Sequence, residues 1–550
     1  MRCEFCGKEC QPGARFCSTC GTRFPEIPPE SSFASYAGSR SRTPGTGRIK
    51  KPLPVRKLLP VAIVVIIIIV AAIIVIPTLT GPRTAMRKDS INFFYDGDLT
   101  VVSGNNNAKF TIEGKYVSAQ RSLDGSKVAI LTDYPGDSGE TLWFCTTSGS
   151  YKVAEDVIAY RLADSGNGLV YLTDHNDRGR TAILYLFDTT AGKQVTITEE
   201  AMNGGNSGML GMICISPNGK SISYISDYDY DDGEFTGYIK LDGKNPERLG
   251  KNIFAVAISD GGRHLYYVKT DEKGMSYSLY VKSGRNDNRL ISDISGTVSP
   301  MLNIDYSQII FNDTGKSYIS VGGGEKVRIG GTSVLGFVLP RGAQTGGNSD
   351  FTTVYGVRDF ANNVIRNENG LAYMDNKYET ARISGTSDHA QRAFISDDGK
   401  TLLYINNNGR LSVIDPRMQG AERTELARDV YQFIATNNCK TIYYINDDGE
   451  LWCIKGSAAA TKISEDIYRE YLVMPYGGNS VFFLFDYSTK GNCGELYISN
   501  NGGKKIKIPG GDDVARVWVT PASVFFRTID NTVYRSGGDE RFVLFAEDVR

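Results

Sequence analysis

Histidine is scarce in this sequence. His175, His264 and His389 are the only three, and they stand far apart with no motif around them. A general base or a histidine-rich metal centre would require the fold to gather them. No G-x-S-x-G elbow occurs, which excludes a serine nucleophile of the α/β-hydrolase kind. No glycine-rich phosphate-cradling loop is present either. Charge of one sign is lacking too: 61 Lys and Arg face 62 Asp and Glu, for a net charge of -1. That balance argues against bulk capture of nucleic acid, and no nucleic-acid partner is expected. Past the first twenty residues cysteine thins to Cys145, Cys214, Cys439, Cys453 and Cys493, odd in number and widely spread. They make no disulfide framework.

What is abundant points to strands. The 60 Gly and 31 Tyr, with many Asn-Gly and Asp-Gly turns, read as an all-β chain. At 550 residues, more than one folding unit is expected.

One stretch departs from that pattern. Leu58 to Ile76 carries no charge, and Val61 to Ile76 is purely aliphatic, with eight Ile, five Val and three Ala. As a helix it would span about 28 Å, close to a bilayer's hydrocarbon core. Its Ile and Val favour insertion by roughly 4 to 8 kcal/mol. Lipid forces such a segment into a helix, because every amide must be satisfied internally. It is too long for a strand, and a charged region of over fifty residues before it does not suit a signal peptide. The span is therefore read as a transmembrane helix within residues 55–77. Arg40, Arg42, Arg48, Lys50, Lys51, Arg56 and Lys57 precede it, and Arg83, Arg87 and Lys88 follow, partly offset by Asp89. The expected topology is a single pass through the cell membrane, N-terminus cytoplasmic and C-terminal region outside.

Residues 1–24 carry paired thiols. Cys3 and Cys6 form one C-x2-C pair, Cys17 and Cys20 another, and Gly7 and Gly21 follow directly. Four thiolates suit a tetrahedral structural Zn²⁺ with no open position for chemistry. So short a peptide, with Phe5, Phe16 and Phe24 as its apolar residues, takes its folding energy from the metal. A redox dithiol is the alternative, though two matched knuckles favour metal. Cys10 falls outside the ligand pattern and is read as a small packed residue. The stretch resembles the short bacterial zinc-ribbon family, which implies docking of a cytoplasmic partner. Residues 25–54, rich in Pro, Ser, Gly and Arg, read as a disordered tether. Its basic stretch is read as a contact with anionic lipid.

From residue 90 onward one turn recurs. It is Ser122-Leu123-Asp124-Gly125-Ser126-Lys127, then Ser216-Pro217-Asn218-Gly219-Lys220, then Ser259-Asp260-Gly261-Gly262-Arg263. It returns as Ser396-Asp397-Asp398-Gly399-Lys400 and as Thr436-Asn437-Asn438-Cys439-Lys440. Spacings of 41 (Gly125 to Gly166), 43 (Gly219 to Gly262) and 40 (Gly399 to Cys439) signal four-stranded propeller blades. Cys439 fills a glycine slot and is expected to be a turn residue. The motif resembles that of TolB-like β-propellers, and the second hairpin of each unit resembles bacterial surface propellers related to the low-density-lipoprotein-receptor type. About nine or ten units are counted over 90–550, against roughly 4 to 8 blades in one propeller. One large propeller and two in tandem, divided near 332–350, both stay open. Residues 91–116 are expected to complete the last blade.

The acidic run Asp227, Asp229, Asp231 suggests a calcium loop, but Asp232 and Tyr238 depart from the EF-hand pattern. The competing reading is a solvated hairpin tip. For the whole, two functions are weighed. One is a non-catalytic module that binds or senses a protein or glycan outside the cell. The other is a surface hydrolase or lyase with carboxylates in the propeller funnel.

Overall fold

The computed structural model describes residues 91–547, apart from 97–98, 104–108, 134–138, 177–180, 203–212, 230–231, 271–275, 293–299, 314, 330–332, 341–343, 349–350, 356, 384–391, 419 and 521–522. The segments expected to form a zinc ribbon (1–24), a tether (25–54) and a membrane helix (55–77) lie outside the described residues. The chain divides into units 1–73 and 74–550, and everything below belongs to the second. Among the described residues the helical element is a three-residue 3-10 turn, Asp260–Gly262. No helix there is long and apolar enough to cross a membrane.

The strands form antiparallel meanders that follow one another in chain order. Among the described residues ten hydrogen-bonded sheets are present, and the eight-stranded one is two meanders joined by a single bridge, Gly494 to Val514. Counting those two separately gives eleven, numbered here 1 to 11. Sheet 1 (93–113) has three strands. The others cover 115–154, 159–202, 214–251, 253–291, 301–329, 334–382, 392–427, 430–464, 467–507 and 514–546.

The second strand of each meander shows why they stack. Thr441 to Ile445 in sheet 9 is buried throughout. Ile442 and Tyr444 pack into the core shared with sheet 8, while Tyr443 and Ile445 pack into the core shared with sheet 10. Alternate side chains leave a strand on opposite faces, so a strand covered on both sides reads as a continuous apolar run. Each such side chain contributes roughly 1.5 to 3 kcal/mol through burial. A shared core likewise joins every successive pair of sheets, from sheets 1 and 2 to sheets 10 and 11.

The recurring motif builds the turn between first and second strands. Ser122 Oγ donates to Asp124 Oδ1 (2.7 Å) and accepts from the Lys127 amide (3.0 Å), while Asp124 Oδ1 accepts from the Ser126 amide (3.0 Å). Gly125 holds the left-handed position at φ +72°. Ser216 with Asn218, Ser396 with Asp398, and Thr436 with Asn438 repeat the pattern. Cys439 takes the glycine position at φ +57°, as its slot predicts.

Two sequence expectations need correction. Among the described residues the meanders number eleven rather than nine or ten, because the eight-stranded sheet holds two of them and the three-stranded sheet 1 stands by itself. At sheet 6 the turn is Asn303-Ile304-Asp305-Tyr306, with Tyr306 at φ +58° in the glycine position. Residues 91–116 do not complete the last meander. They form sheet 1 and the start of sheet 2, whereas sheet 11 already has four strands. Sheets 1 and 11 meet where Lys109 Nζ donates to the Phe545 carbonyl (3.3 Å).

The irregular stretch after 332 holds an insertion. Between the first and second strands of sheet 7, a hairpin (Gln344–Asn348 and Phe351–Tyr355) leaves the meander. It pairs in parallel with the first strand of sheet 6, Met301 opposite Thr352 and Leu302 opposite Thr353. The Gln308 side chain anchors the return, accepting from the Phe360 amide (2.7 Å) and donating to Asp359 (2.9 Å).

Candidate functional site

The first strands of successive sheets meet along a shared edge. Gln120 of sheet 2 bonds the backbone of Tyr160 and Leu162 in sheet 3. Arg392 of sheet 8 donates to Gln432 of sheet 9 (2.6 Å), and Gln432 donates to the Arg469 carbonyl of sheet 10. The Tyr471 hydroxyl then reaches the Ala515 carbonyl of sheet 11 (3.4 Å).

First turns are also tied together. Asp164 accepts from Tyr306 (3.3 Å), linking sheets 3 and 6, and Asp397 accepts from Tyr476 (3.3 Å), linking sheets 8 and 10. Asn437 Nδ2 donates to Asp397 Oδ2 (3.0 Å), while Asp397 Oδ1 and Asn437 Oδ1 are buried without a donor.

On sheets 8 to 11 the first-strand edge carries a cation–aromatic cluster. The Tyr431 ring, 36% exposed, lies under two guanidiniums, Arg392 at 5.7 Å and Arg469 at 5.6 Å. Its hydroxyl donates to Glu470 (2.6 Å). Arg469 donates to the Asp447 carbonyl. Further along, Arg516 stands directly across the strand pair from Arg527, whose Nε is buried with no acceptor. Among the described residues none of these four arginines has a carboxylate partner. Arg410, Arg417 and Arg428, in the connections beside the third and fourth strands of sheet 8, all do.

A cleft of about 380 Å³ opens between sheets 7 and 8, lined by Tyr373, Asp375, Glu379, Arg382, Asp415 and Arg417 among others. Two of its carboxylates, Asp375 and Asp415, are committed. Asp375 accepts the amides of Lys377 (2.8 Å) and Glu379 (2.9 Å), shaping its turn. Arg417 grips Asp415 through two bonds (2.9 and 2.6 Å) and holds its carboxyl below the ordinary range. A general acid needs the opposite shift. Among the described residues the carboxyl with a raised pKa is Glu140, through burial and then Asp133, and it sits beside sheet 2 rather than in the cleft.

The sequence candidates are scattered. Cys3, Cys6, Cys17, Cys20 and Asp231 lie outside the described residues. Asp227 accepts from the Tyr238 hydroxyl (2.5 Å), and Asp229 closes the hairpin through its amide to the Glu234 carbonyl (2.7 Å). No group of three or more His, Cys, Asp or Glu among the described residues could hold a metal. Burial lowers the His264 pKa, and its Nδ1 has no partner. The side chains of His175 and His389 are not among those described. Cys145, Cys214, Cys439, Cys453 and Cys493 are free and buried. Burial pushes the Cys145 and Cys439 thiols up to about 12 and those of Cys214 and Cys453 to about 11, so they stay protonated.

Sequence reasoning missed Arg392, Tyr431, Arg469, Arg516 and Arg527. A usable signal existed: Arg392 and Gln432 both stand four residues before the Ser or Thr that opens the next turn.

No protein-family model matches the chain, and no curated protein matches it. Among solved structures, a eukaryotic initiation factor is similar at 12% identity and TM-score 0.37, over 76% of this chain and 95% of that one. The β-propeller domain of the Trilobed protease from Pyrococcus furiosus gives 14% and 0.29, over 62% and 95%. TolB from Acinetobacter baumannii gives 14% and 0.25, over 43% of this chain and 61% of that one. At TM-scores this low the alignments carry no weight for function.

Proposed function

We infer that the eleven meanders are blades closing into one or two β-propellers, and that this region is a non-catalytic module binding a protein or glycan outside the cell. A single helix within residues 55–77 would anchor it in the membrane. A zinc ribbon, with Cys3, Cys6, Cys17 and Cys20 on one Zn²⁺, would dock a cytoplasmic partner.

The observation that carries the binding role is Tyr431 held between Arg392 and Arg469 across three first strands. An exposed aromatic set among fixed polar groups is how recognition surfaces are built. The hydrolase or lyase alternative needs a pair of free carboxylates, whereas two of the three cleft carboxylates, Asp375 and Asp415, shape a turn and an ion pair.

The test uses the detergent-solubilised full chain with cell-envelope glycan fragments and surface proteins of its own cell. Saturable binding that Tyr431→Ala weakens, with the ligand recovered intact, is expected. Release of new reducing or unsaturated ends, abolished by Asp375→Asn, would replace the binding role with the enzymatic one. For the anchor, protease added to intact cells should remove residues beyond 90 and spare the head. Metal analysis should give one zinc per chain, lost on replacing Cys17 and Cys20 by Ser.

A further inference from the structure

We propose that the first-strand side of sheets 8 to 11 is an oxyanion receptor, built by Arg392 and Arg469 around Tyr431 and by Arg516 and Arg527 across the first two strands of sheet 11. This rests on the binding-module reading and names the ligand's chemistry: carboxylate, phosphate or sulfate groups, carried on an acidic polymer or free in solution.

Three independent features point the same way. First, four guanidiniums from sheets 8, 10 and 11 have no carboxylate partner among the described residues, and Glu470 is the single acidic residue on the same first strands. Guanidiniums form their strongest hydrogen bonds with planar or tetrahedral oxyanions, through paired N–H groups.

Second, Arg516 and Arg527 stand directly opposite each other on neighbouring strands. Like charges so placed repel, and an anion lying between them would turn that repulsion into binding. Third, Arg527 Nε is a buried donor without an acceptor. Buried donors are almost always satisfied, so this one marks a place where an acceptor belongs.

Tyr431 has a separate role. Its ring backs both Arg392 and Arg469, and cation–aromatic contact fixes guanidiniums that would otherwise sweep through solvent. Its hydroxyl also occupies Glu470, keeping that carboxylate from pairing with either arginine. Tyr431 is therefore a positioning residue, and the arginines are the ligand-contacting ones.

The experiment measures binding of the detergent-solubilised full chain to polygalacturonate, inorganic phosphate and neutral dextran, at low and at raised salt. Expected is binding of polygalacturonate that weakens steeply with salt, competition by phosphate, and no binding of dextran. The Arg392→Gln/Arg469→Gln and Arg516→Gln/Arg527→Gln variants should each bind at least about tenfold more weakly. Arg392→Lys/Arg469→Lys, which keeps charge but loses the paired N–H groups, should fall between. Arg285→Gln, on the turn of sheet 5, should bind as the parent does. Melting temperatures confirm that each variant is folded.

If phosphate binds as tightly per site as the polymer, the source is a free oxyanion. If the polymer is at least tenfold tighter, the source is an acidic chain. Equal affinity of the parent and both Gln double variants overturns the receptor. So does dextran binding as well as polygalacturonate, or another ligand bound with no dependence on these arginines. Those last outcomes would leave the binding-module reading standing, whereas turnover of the polymer would remove that reading instead.

Discussion

In sheets 4 to 7 the first strands (Cys214–Ile215, Ile253–Ile258, Met301–Leu302 and Val334–Phe337) carry no charged side chain. A parallel hairpin covers the free edge of one of them. In sheets 8 to 11 the equivalent strands carry Arg392, Arg469, Glu470 and Arg516, with Tyr431 between them. The meander and the shared cores recur in both regions, and the same Ser/Thr–Asp/Asn turn occurs in each, in sheet 4 and in sheets 8 and 9. What differs is the set of side chains at the one edge where successive sheets converge. First strands still give residues such as Val430, Ile467 and Val514 to the shared cores, and their remaining positions diverge toward function.

If so, core truncation should not distinguish the two regions. Phe311 of sheet 6 and Phe483 of sheet 10 are both fully buried in inter-sheet cores. Changing either to Ala should destabilise by about 3 to 5 kcal/mol in denaturant unfolding, through lost burial and the cavity left behind. A small effect at one position and a large one at the other would show that the regions are not built on equal terms.

The turns are where the two regions should separate. A Cβ at Gly219 (φ +81°) would stand 2.4 Å from the Gly168 backbone nitrogen, where the turn of sheet 4 presses on sheet 3. At Gly399 (φ +69°) a Cβ meets nothing within 4 Å. Gly399→Ala should therefore cost only the left-handed strain, roughly 1 to 2 kcal/mol. Gly219→Ala should cost distinctly more, since backbone must move, and thermal unfolding of the two variants compares them directly. Equal losses would mean that the sheet 3–4 contact is soft.

This same turn marks what the sequence can and cannot disclose. Ser122, Asp124 and Gly125 satisfy hydrogen bonds within five residues of themselves, so their chemistry is local and their spacing announces it. The all-β class and the repeat follow from them. The number of meanders did not, because the three strands of sheet 1 are too few to mark a full unit. Neither did the hairpin on sheet 6, since parallel pairing joins strands about fifty residues apart with no local mark. The candidate site was hidden for that reason too. Tyr431 and Glu470 touch across 39 positions and Arg392 and Gln432 across 40, and only stacking of whole sheets brings them together.

A smaller effect tests whether the cationic edge is maintained at the expense of stability. Arg516 and Arg527 face each other across adjacent strands. Arg516→Gln should therefore stabilise the fold, by about 0.2 to 1 kcal/mol at low salt, and the gain should shrink as salt rises. A loss of stability would mean that Arg516 makes a net favourable contribution and that the edge carries no such cost.

The smallest effect concerns acid. The turns of sheets 2 and 8 use Asp124 and Asp398, whereas those of sheets 4 and 9 use Asn218 and Asn438 for the same bonds. Burial raises the Asp124 and Asp398 pKa values. Hydrogen bonds from Ser122 and Ser126, and from Ser396 and the Lys400 amide, outweigh it, so both end below the ordinary value. A carboxylate with a depressed folded pKa adds stability above its unfolded value of about 3.9, and that stability is lost as pH falls through the folded one. Unfolding midpoints should thus drop below about pH 4 with a contribution from sheets 2 and 8 that sheets 4 and 9 lack. The Asp124→Asn/Asp398→Asn variant keeps both acceptors and removes both titrations, so its midpoint should change less over that range. An unchanged acid limb would place the sensitivity in the surface ion pairs, which the two regions share.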